Sequence, residues 1–377
     1  MNFDIADNRL EPVKNKILAG DRLNFEDGVR LYRSDDLMGI GRLADYIRRK
    51  KHADKAFYIY NQHINYTNIC INGCRFCAYA RQAGQPGTFT LSLKDIKQQL
   101  ASDISRPVRE FHIVGGLNPS LPFDYYVGLI RLIKQLRPTA VIKAFTAVEI
   151  DYIAGVGRLS VEKAISILKD AGLEMVPGGG AEVMSDRVQR RLFPKKINGR
   201  RWLEVMELLH RAGLTSNATM LYGHIETIEE RVEHMLRLRA LQDKTGNFSA
   251  FIPLSFHPRN TSLSHLDGPT AVDDLKTIAV ARLILDNIDH IKAYWVMTGE
   301  KLAQVALSFG ADDLDGTIVE EKITHMAGAT SAKGLSRNQL HRLITSAGFV
   351  PVERDSFYCP VQPERPRTTQ GETDGLQ

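Results

Sequence analysis

The stretch "FYIYNQHINYTNICINGCRFC" (57–77) joins a run of apolar, aromatic and β-branched residues to a loop that holds three of the chain's four cysteines. The run predicts a β-strand. The cysteines follow it directly with the spacing C-x₃-C-x₂-C, at Cys70, Cys74 and Cys77. In a parallel barrel this position is the rim formed by the carboxyl ends of the strands, where barrel enzymes place their sites.

The rest of the chain repeats the same alternation of a short apolar run, a polar turn and an amphipathic helical pattern such as "FDYYVGLIRLIKQL". The pattern predicts βα units and a parallel sheet. Eight units match a closed (β/α)₈ TIM barrel, which typically needs about 250 residues; a doubly wound open sheet is the alternative. The predicted strands are FYIYNQHINYT (57–67), VREFHIVGG (108–116), AVIKAFTAV (140–148), LEMVPGG (173–179), SNATMLYG (216–223), AFIPLSF (250–256), HIKAYWVM (290–297) and DDLDGTI (312–318).

Four segments are predicted along the chain. Residues 1–52 are charged, with apolar positions three and four apart, and are expected to form an N-terminal helical extension. Residues 53–320 form the barrel, and 321–358 form a short C-terminal extension. The proline-rich and polar segment 359–377 is expected to be a disordered tail.

Composition narrows the class of protein. The chain has 377 residues, 43% hydrophobic and 25% charged, which is typical of a globular protein. Its net charge of +5 comes from scattered basic residues, so no nucleic-acid partner is indicated. No window approaches the ~18 apolar residues of a membrane span, and the first twenty residues lack a signal peptide's apolar core. Four cysteines, three of them clustered, do not make a secreted disulfide framework, so a reducing cytoplasm is expected.

The three clustered cysteines admit more than one metal. A structural zinc site usually has four protein ligands, and a ferredoxin cluster also takes four cysteines. The fourth cysteine, Cys359, is far from the others in sequence. Three thiolates leave one iron of a [4Fe–4S] cluster open, and an open position on a metal can bind a small chelating ligand. A catalytic cluster is therefore favoured, with structural zinc and an electron-transfer or redox-sensing iron–sulfur protein as alternatives.

The cysteine spacing, Phe76 before the last cysteine and the pair Gly115–Gly116 together resemble the radical S-adenosylmethionine (SAM) superfamily. That resemblance implies a (β/α)₈ barrel of the radical SAM type. It also implies a cluster whose open iron binds the amino and carboxylate groups of SAM, and an electron that cleaves SAM to a 5′-deoxyadenosyl radical. The chain differs at Gly73, where a larger residue is expected, and at Tyr79, where phenylalanine is common.

Within the superfamily, residues 20–355 resemble the aminofutalosine synthase family, through "HINYTNIC", "FHIVGGL", "IKAFTAVEID", "PGGGAE", "NATMLYGHIE" and "FIPLSFHP". The family belongs to menaquinone biosynthesis. The resemblance implies that the radical adds to 3-[(1-carboxyvinyl)oxy]benzoate, giving 6-amino-6-deoxyfutalosine, methionine and bicarbonate, with SAM as co-substrate. The related cyclic dehypoxanthine futalosine synthase, or another radical enzyme of this kind, is the alternative.

The resemblance also implies site residues. Cys70, Cys74 and Cys77 are the expected cluster ligands. The expected cofactor-binding residues are Phe76, Tyr79, Gly115, Gly116, Thr146, Glu149 and Glu182. The expected substrate-binding residues are Asn65, Lys143, Gly178, Gly179, Thr219, Tyr222, Ser255, His257 and Arg259. His63, His224 and His257 are the candidates for a catalytic role. Such a site must exclude water while a carbon radical exists and must hold two carboxylates.

A radical SAM enzyme needs an external electron. The resemblance implies a low-potential donor such as flavodoxin or ferredoxin, beside the small-molecule substrate.

Overall fold

The computed structural model describes residues 4–102, 107–318 and 322–361. Three helices precede the first strand: α1 (Glu11–Ala19), α2 (Phe25–Arg33) and α3 (Leu37–His52). The strands are β1 (Lys55–Ile59), β2 (Asn61–Ile64), β3 (Glu110–Ile113), β4 (Val141–Ala144), β5 (Met175–Val176), β6 (Thr215–Tyr222), β7 (Phe248–Ser255), β8 (His290–Ile291), β9 (Asp313–Gly316) and β10 (Val350–Arg354).

Helices alternate with these strands, as the sequence pattern predicts. The helices are α4 (Leu93–Ser102), α5 (Phe123–Leu136), α6 (Ala147–Val156), α7 (Val161–Ala171), α8 (Asp186–Leu192), α9 (Gly199–Arg211), α10 (Ile228–Thr245), α11 (Ala271–Ile284), α12 (Trp295–Thr298), α13 (Glu300–Ala306), α14 (Ile323–Met326) and α15 (Arg337–Ser346). Short 3₁₀ turns occupy Asn8–Leu10 and Leu307–Phe309.

All the strand pairs are parallel, and backbone hydrogen bonds close them into a barrel. One sheet has the order β2-β3-β4-β5-β6-β7-β8, and a second has the order β10-β1-β9. The Ala293 N–H donates to the Asp313 carbonyl at 2.8 Å and joins the β8 side to β9. The Phe57 N–H donates to the Asp312 carbonyl at 2.7 Å and joins β9 to β1. The predicted (β/α)₈ barrel is therefore confirmed, and the open-sheet alternative is wrong.

Several strands are shorter than predicted because the chain turns into a helix sooner. The first predicted strand is divided at Tyr60 into β1 and β2. Strand β4, which the sequence predicts to span 140–148, ends at Ala144. Thr146 then caps α6 in a capping box with Glu149, which satisfies the first free N–H groups of that helix.

The N-terminal helices cover one side of the barrel. α11 is buried over most of its length from Asp274 to Ile284, and it packs against both the sheet and α3. Gly41 of α3 lies where a side chain would strike the ring of Phe309, so the close approach of this helix requires glycine there. The extension thus contributes to the core. None of the helices in the described ranges has the length and apolarity of a membrane span.

The C-terminal boundary needs one correction. The sequence predicts a disordered tail from residue 359 onward, but residues 359–361 fold back on β10. Pro360 forms an antiparallel β-bridge with Arg354, and the Val361 N–H donates to the Glu353 carbonyl at 2.8 Å. A proline-rich composition does not prevent these hydrogen bonds, because Asp355 organises the turn by accepting from the Cys359 N–H. The rest of the predicted tail, 362–377, lies outside the described residues.

Candidate active site at the carboxyl end of the barrel

A cavity of about 360 Å³ lies at the carboxyl ends of the strands. Its lining runs from the three cysteines of the loop after β2 to polar side chains inside the barrel. The predicted site residues that line it are His63, Cys70, Cys74, Phe76, Cys77, Tyr79, Gly115, Gly116, Lys143, Thr146, Glu149, Gly178, Gly179, Glu182, Thr219 and His257.

The cysteine loop is held by its own backbone. The Cys70 N–H donates to the Arg81 carbonyl at 3.0 Å, and the Cys77 N–H donates to the Cys74 carbonyl at 3.1 Å. Gly73 has a φ of 60°, a left-handed conformation that glycine adopts without strain. The departure from the expected larger residue at this position therefore suits the turn between the first two cysteines.

Gly115 and Gly116 bring β3 against the cysteine loop. A Cβ on Gly116 would lie 2.2 Å from the Ile69 carbonyl oxygen and 2.9 Å from Cys70 Cβ. A Cβ on Gly115 would meet the ring of Tyr66 at 2.7 Å. Both glycines are needed for this packing, whatever else they contact in the cavity.

Glu149 is fully engaged in structural hydrogen bonds. It accepts from the Gly115 N–H at 3.0 Å, from the Tyr66 hydroxyl at 2.9 Å and from the N–H and hydroxyl of Thr146, both at 2.8 Å. Burial raises the pKa of the Glu149 carboxyl, and these donors oppose the rise. Glu149 thus joins the helix cap to the strand end that carries the glycine pair.

Glu182 lies beside the cysteines in a buried ion pair with Lys196, a residue that the sequence analysis did not identify. The Lys196 ammonium lies 5.4 Å from the ring centre of Phe76, a cation–π distance. Burial is the largest effect and disfavours the charged lysine, but Glu182 and the neighbouring Cys74 and Cys77 together outweigh it, so the pKa of Lys196 is raised. The raised pKa keeps the Lys196 ammonium charged at neutral pH.

Polar side chains form the floor of the cavity. His63, His112 and Lys143 are register partners on β2, β3 and β4, so they project to the same face at one level. The two imidazole rings stack with centres 4.6 Å apart. The Lys143 ammonium lies 2.5 Å from the Glu110 carboxylate, so Lys143 points into the barrel. Burial lowers the pKa of Lys143, and it lowers the pKa of His112 well below the usual range, with His63 and Lys143 adding to the effect.

Two predicted substrate residues lie behind the barrel wall. Tyr222 and Ser255 both face helix α11, where the Tyr222 hydroxyl donates to Asp274 at 2.7 Å and Ser255 also hydrogen-bonds Asp274. Successive side chains of a strand point to opposite faces. Thr219 and Leu221 of β6 line the cavity, so Tyr222 must point outward.

Three other predicted residues are also outside the cavity lining. His224 is buried against Glu226, with its Nδ1 2.7 Å from that carboxylate, in the loop after β6. The Asn65 amide donates to the Val114 carbonyl at 3.2 Å. Arg259 is exposed beyond the rim. His257 does line the cavity, and its Nε2 donates to the Met297 carbonyl at 2.8 Å.

The glycines after β5 are explained by packing. A Cβ on Gly178 would lie 2.3 Å from the Asn217 carbonyl oxygen of the neighbouring strand. Gly180 has a φ of 99°, and a Cβ there would lie 2.5 Å from a methyl of Val148. Gly179 has ordinary clearance, and its carbonyl accepts from the Trp202 indole at 3.1 Å.

The cysteines fit an iron–sulfur cluster with three protein ligands. All three thiols are free, partly accessible and directed to one cavity. Among the described residues that line the cavity, there is no fourth cysteine. Burial raises the pKa of the Cys74 thiol to about 12 and also raises the pKa of Cys77. A bound metal reverses this preference, since its positive charge stabilises thiolates.

His112, Lys196 and Asn217 also line the cavity, although they are not among the residues predicted from sequence. His112 could have been found, since it sits on β3 in the same barrel row as His63. Lys196 lies in the loop after α8, where no periodic pattern predicts a direction for its side chain.

Comparison with known proteins places the chain among radical enzymes. The sequence model of the Radical SAM superfamily matches residues 64–238, and that of the CofH/MqnC C-terminal region matches residues 245–365. The chain is 43% identical to aminodeoxyfutalosine synthase of Thermus thermophilus, over 95% of this chain and 97% of that protein.

Two further relatives have other activities in their names. The chain is 37% identical to cyclic dehypoxanthine futalosine synthase of Streptomyces coelicolor, over 93% of this chain and 88% of that protein. It is 40% identical to 5-amino-6-(D-ribitylamino)uracil–L-tyrosine 4-hydroxyphenyl transferase of Methanothermobacter thermautotrophicus, over 87% of this chain and 90% of that protein.

Proposed function

The chain belongs to the radical SAM superfamily, in the family of aminodeoxyfutalosine synthase, and on that premise we propose that it joins the adenosyl group of SAM to 3-[(1-carboxyvinyl)oxy]benzoate. The products are 6-amino-6-deoxyfutalosine, methionine and bicarbonate, and the bicarbonate forms from the released carboxyl group and a water molecule. Cys70, Cys74 and Cys77 would hold a [4Fe–4S] cluster, and such a cluster would supply the electron for cleavage of SAM to the 5′-deoxyadenosyl radical.

One observation carries this proposal. A single cavity joins the three thiols to the polar floor that contains Lys143. SAM at the thiols and an acidic aromatic substrate over the floor would then be neighbours, which a direct bond between them requires. Holding two reactants in contact distance, about 3–3.5 Å, removes much of the entropic cost of a bimolecular step.

The floor matches a substrate with two carboxylates. Lys143, His63 and His112 are donors or cations at one level of the barrel, and charged donors are the strongest partners for carboxylates. We assign Lys143 to one substrate carboxylate. The Lys143 ammonium would then interact with both Glu110 and the substrate carboxylate, so that neither carboxylate is left without a cationic partner.

Part of the cavity lining is apolar and suits radical chemistry. The apolar residues of the lining include Phe76, Leu117, Leu254, Phe256 and Met297. Exclusion of water protects a reactive carbon centre from side reactions. The remaining assignments are Thr146 and Glu182 toward SAM, and Thr219 and His257 toward the substrate.

Product analysis tests the proposal. Anaerobically reconstituted protein, reduced with dithionite, is incubated with SAM carrying ¹³C in its adenosyl group and with the enolpyruvyl benzoate. We expect the label in a stable adduct with the mass of aminodeoxyfutalosine, and only a minor amount of 5′-deoxyadenosine. Labelled 5′-deoxyadenosine as nearly the whole product would contradict the proposal.

Two further incubations distinguish the alternatives. Cyclic dehypoxanthine futalosine synthase activity is assayed with dehypoxanthine futalosine. Conversion of that compound would favour this cyclase activity over the proposed one. The third relative's activity is assayed with L-tyrosine and 5-amino-6-(D-ribitylamino)uracil. The electron donor in the cell is proposed to be a reduced flavodoxin or ferredoxin.

A further inference from the structure

We infer that the surface around the cysteine loop is the docking site of an acidic, low-potential electron-carrier protein. Its basic members, called here the cluster-loop patch, are Arg75, Arg190, Arg191 and Lys195. The inference rests on the proposed function, because it requires a cluster on the three cysteines.

The patch is built from two segments that pack directly on each other. Arg75 belongs to the cysteine loop itself, between Cys74 and Cys77. Its N–H donates to the Leu192 carbonyl at 2.9 Å, at the carboxyl end of α8. Its guanidinium lies 3.5 Å from the Arg191 carbonyl. The basic residues of α8 and of the loop after it are therefore held at the outer side of the metal-binding loop.

All four side chains are exposed, and none forms an ion pair with a carboxylate of the described residues. Exposed arginines elsewhere do have partners: Arg49 pairs with Asp45 at 2.7 Å, and Arg237 pairs with Glu233 at 2.9 Å. The patch thus presents four positive charges, none of which is ion-paired to a carboxylate of the described residues. Such a surface attracts an oppositely charged protein and orients it before contact.

An exposed apolar residue accompanies the charges. Ile71 follows Cys70 and is 47% exposed, although its N–H is fixed by the Leu117 carbonyl at 3.1 Å. Protein interfaces commonly combine an apolar contact with a charged rim, and arginine is enriched in them. Ile71 gives the patch such a contact within one residue of a cluster ligand.

The position suits the transfer of one electron. In each transfer the reduced carrier loses one electron and the cluster gains it, passing from the 2+ to the 1+ state, with no atom transferred. A carrier seated on the patch would approach the outer side of the cysteine loop. SAM and the substrate would occupy the cavity on the inner side, so docking would not obstruct them.

The test compares two triple variants of the reconstituted holoprotein. Arg190→Glu/Arg191→Glu/Lys195→Glu reverses the patch while leaving the cysteine loop intact. The matched control is Lys55→Glu/Lys301→Glu/Arg342→Glu, which makes the same change in net charge at exposed positions away from the loop. The probe is an acidic bacterial flavodoxin. Its affinity is measured by titration in the oxidised state, and the rate of cluster reduction by its hydroquinone is measured by stopped-flow absorbance.

We expect the patch variant to bind flavodoxin at least 10-fold more weakly and to be reduced by it at least 10-fold more slowly. Dithionite, a small reductant, should reduce its cluster at the wild-type rate. The wild-type rate with flavodoxin should fall as salt is raised, because salt screens exposed charges. Wild-type flavodoxin affinity in the patch variant, or an equal loss in the control, would overturn the inference.

A failure of the proposed function is recognised separately. Flavodoxin binding and cluster reduction need no substrate, whereas dithionite-driven product formation needs no carrier. A protein that binds flavodoxin through the patch but makes another product would retain this inference and lose only the assigned reaction.

Discussion

Glu182 and Lys196 form a buried ion pair beside Cys74, in the wall of the cavity that also holds the cysteine thiols. Glu182 is predicted in the site from sequence, whereas its partner Lys196, which lies 14 residues later in the chain, is not. The pair lies next to the metal-binding loop, where the Lys196 ammonium is also 5.4 Å from the ring centre of Phe76.

The first prediction concerns this pair. Lys196→Met should destabilise the apoprotein by about 3–5 kcal/mol, because it leaves a buried carboxylate without its partner. The double variant Glu182→Gln/Lys196→Met should recover most of that loss. Chemical denaturation of the single and double variants measures the coupling. The exposed pair of Arg237 and Glu233 is the control, and Arg237→Met should cost less than about 1 kcal/mol. Equal losses in the two single variants would contradict the prediction.

The second prediction concerns Gly116. Gly116→Ala should prevent the cysteine loop from packing on β3, since its Cβ would lie 2.2 Å from the Ile69 carbonyl oxygen. We expect most of the reconstituted iron and the ~400 nm absorbance to be lost. Gly155→Ala is the matched control, because this glycine is exposed in α6 with nothing within 4 Å of a Cβ. It should keep the cluster and stabilise the helix by about 0.5–1 kcal/mol. A full iron content in Gly116→Ala would contradict the prediction, because it would mean that the cysteine loop moves to make room for the added methyl group.

The third prediction concerns the ligands themselves. Serine at Cys70, Cys74 or Cys77 should abolish the iron–sulfur absorbance or its response to SAM, since each residue supplies one of three thiolates. Cys359→Ser should change neither, because Cys359 is exposed and outside the cavity lining. Iron analysis and absorbance after anaerobic reconstitution measure both. Loss of the cluster in Cys359→Ser would remove the argument for an open iron.

The fourth prediction concerns Lys143. Lys143→Met should raise the KM for the enolpyruvyl benzoate by about 10-fold or more, equivalent to the ~1.5–3 kcal/mol of a charged hydrogen bond. Affinity for SAM should be little changed. Lys134→Met is the control, because Lys134 pairs with Glu174 at 2.7 Å on the outside of the barrel. Unchanged substrate affinity in Lys143→Met would remove this residue from the substrate site.

The fifth prediction concerns pH. Burial lowers the pKa of His234 to about 4, and the neutral ring accepts from the Met184 N–H. Below its unfolded pKa near 6.5 the unfolded chain binds the extra proton, so the free energy of unfolding should fall as pH drops from 6.5 toward 4. The expected slope is about 1.4 kcal/mol per pH unit for this group. Denaturation of the apoprotein at pH 7 and pH 5 measures this effect. In His234→Gln the free energy of unfolding should differ less between the two pH values than in the wild type.

Much of this architecture was readable from local sequence. The alternation of apolar runs with helical patterns predicted eight strand positions and the barrel, because each pattern reflects burial of one face of one element. The spacing of Cys70, Cys74 and Cys77 predicted the metal-binding loop, since three thiols within eight residues must lie close together whatever the rest of the chain does.

Other features depended on which way each side chain points. The family resemblance places Tyr222 in the site, but strand alternation turns its side chain to Asp274, while Thr219 faces the cavity. A shift of one residue exchanges the two faces. Strand ends predicted from composition are uncertain by more than that, so the direction of such a residue could not be decided in advance.

The sequence by itself determined the barrel and the cysteine loop, because both follow from periodicity and spacing over short distances along the chain. Only the tertiary structure decided which charges meet. Lys196 reaches Glu182, and Lys143 reaches Glu110, through contacts between segments that have no fixed relation in sequence. Removing a charge from water is costly unless a partner is within reach, so these pairings form only where the packed elements bring opposite charges together.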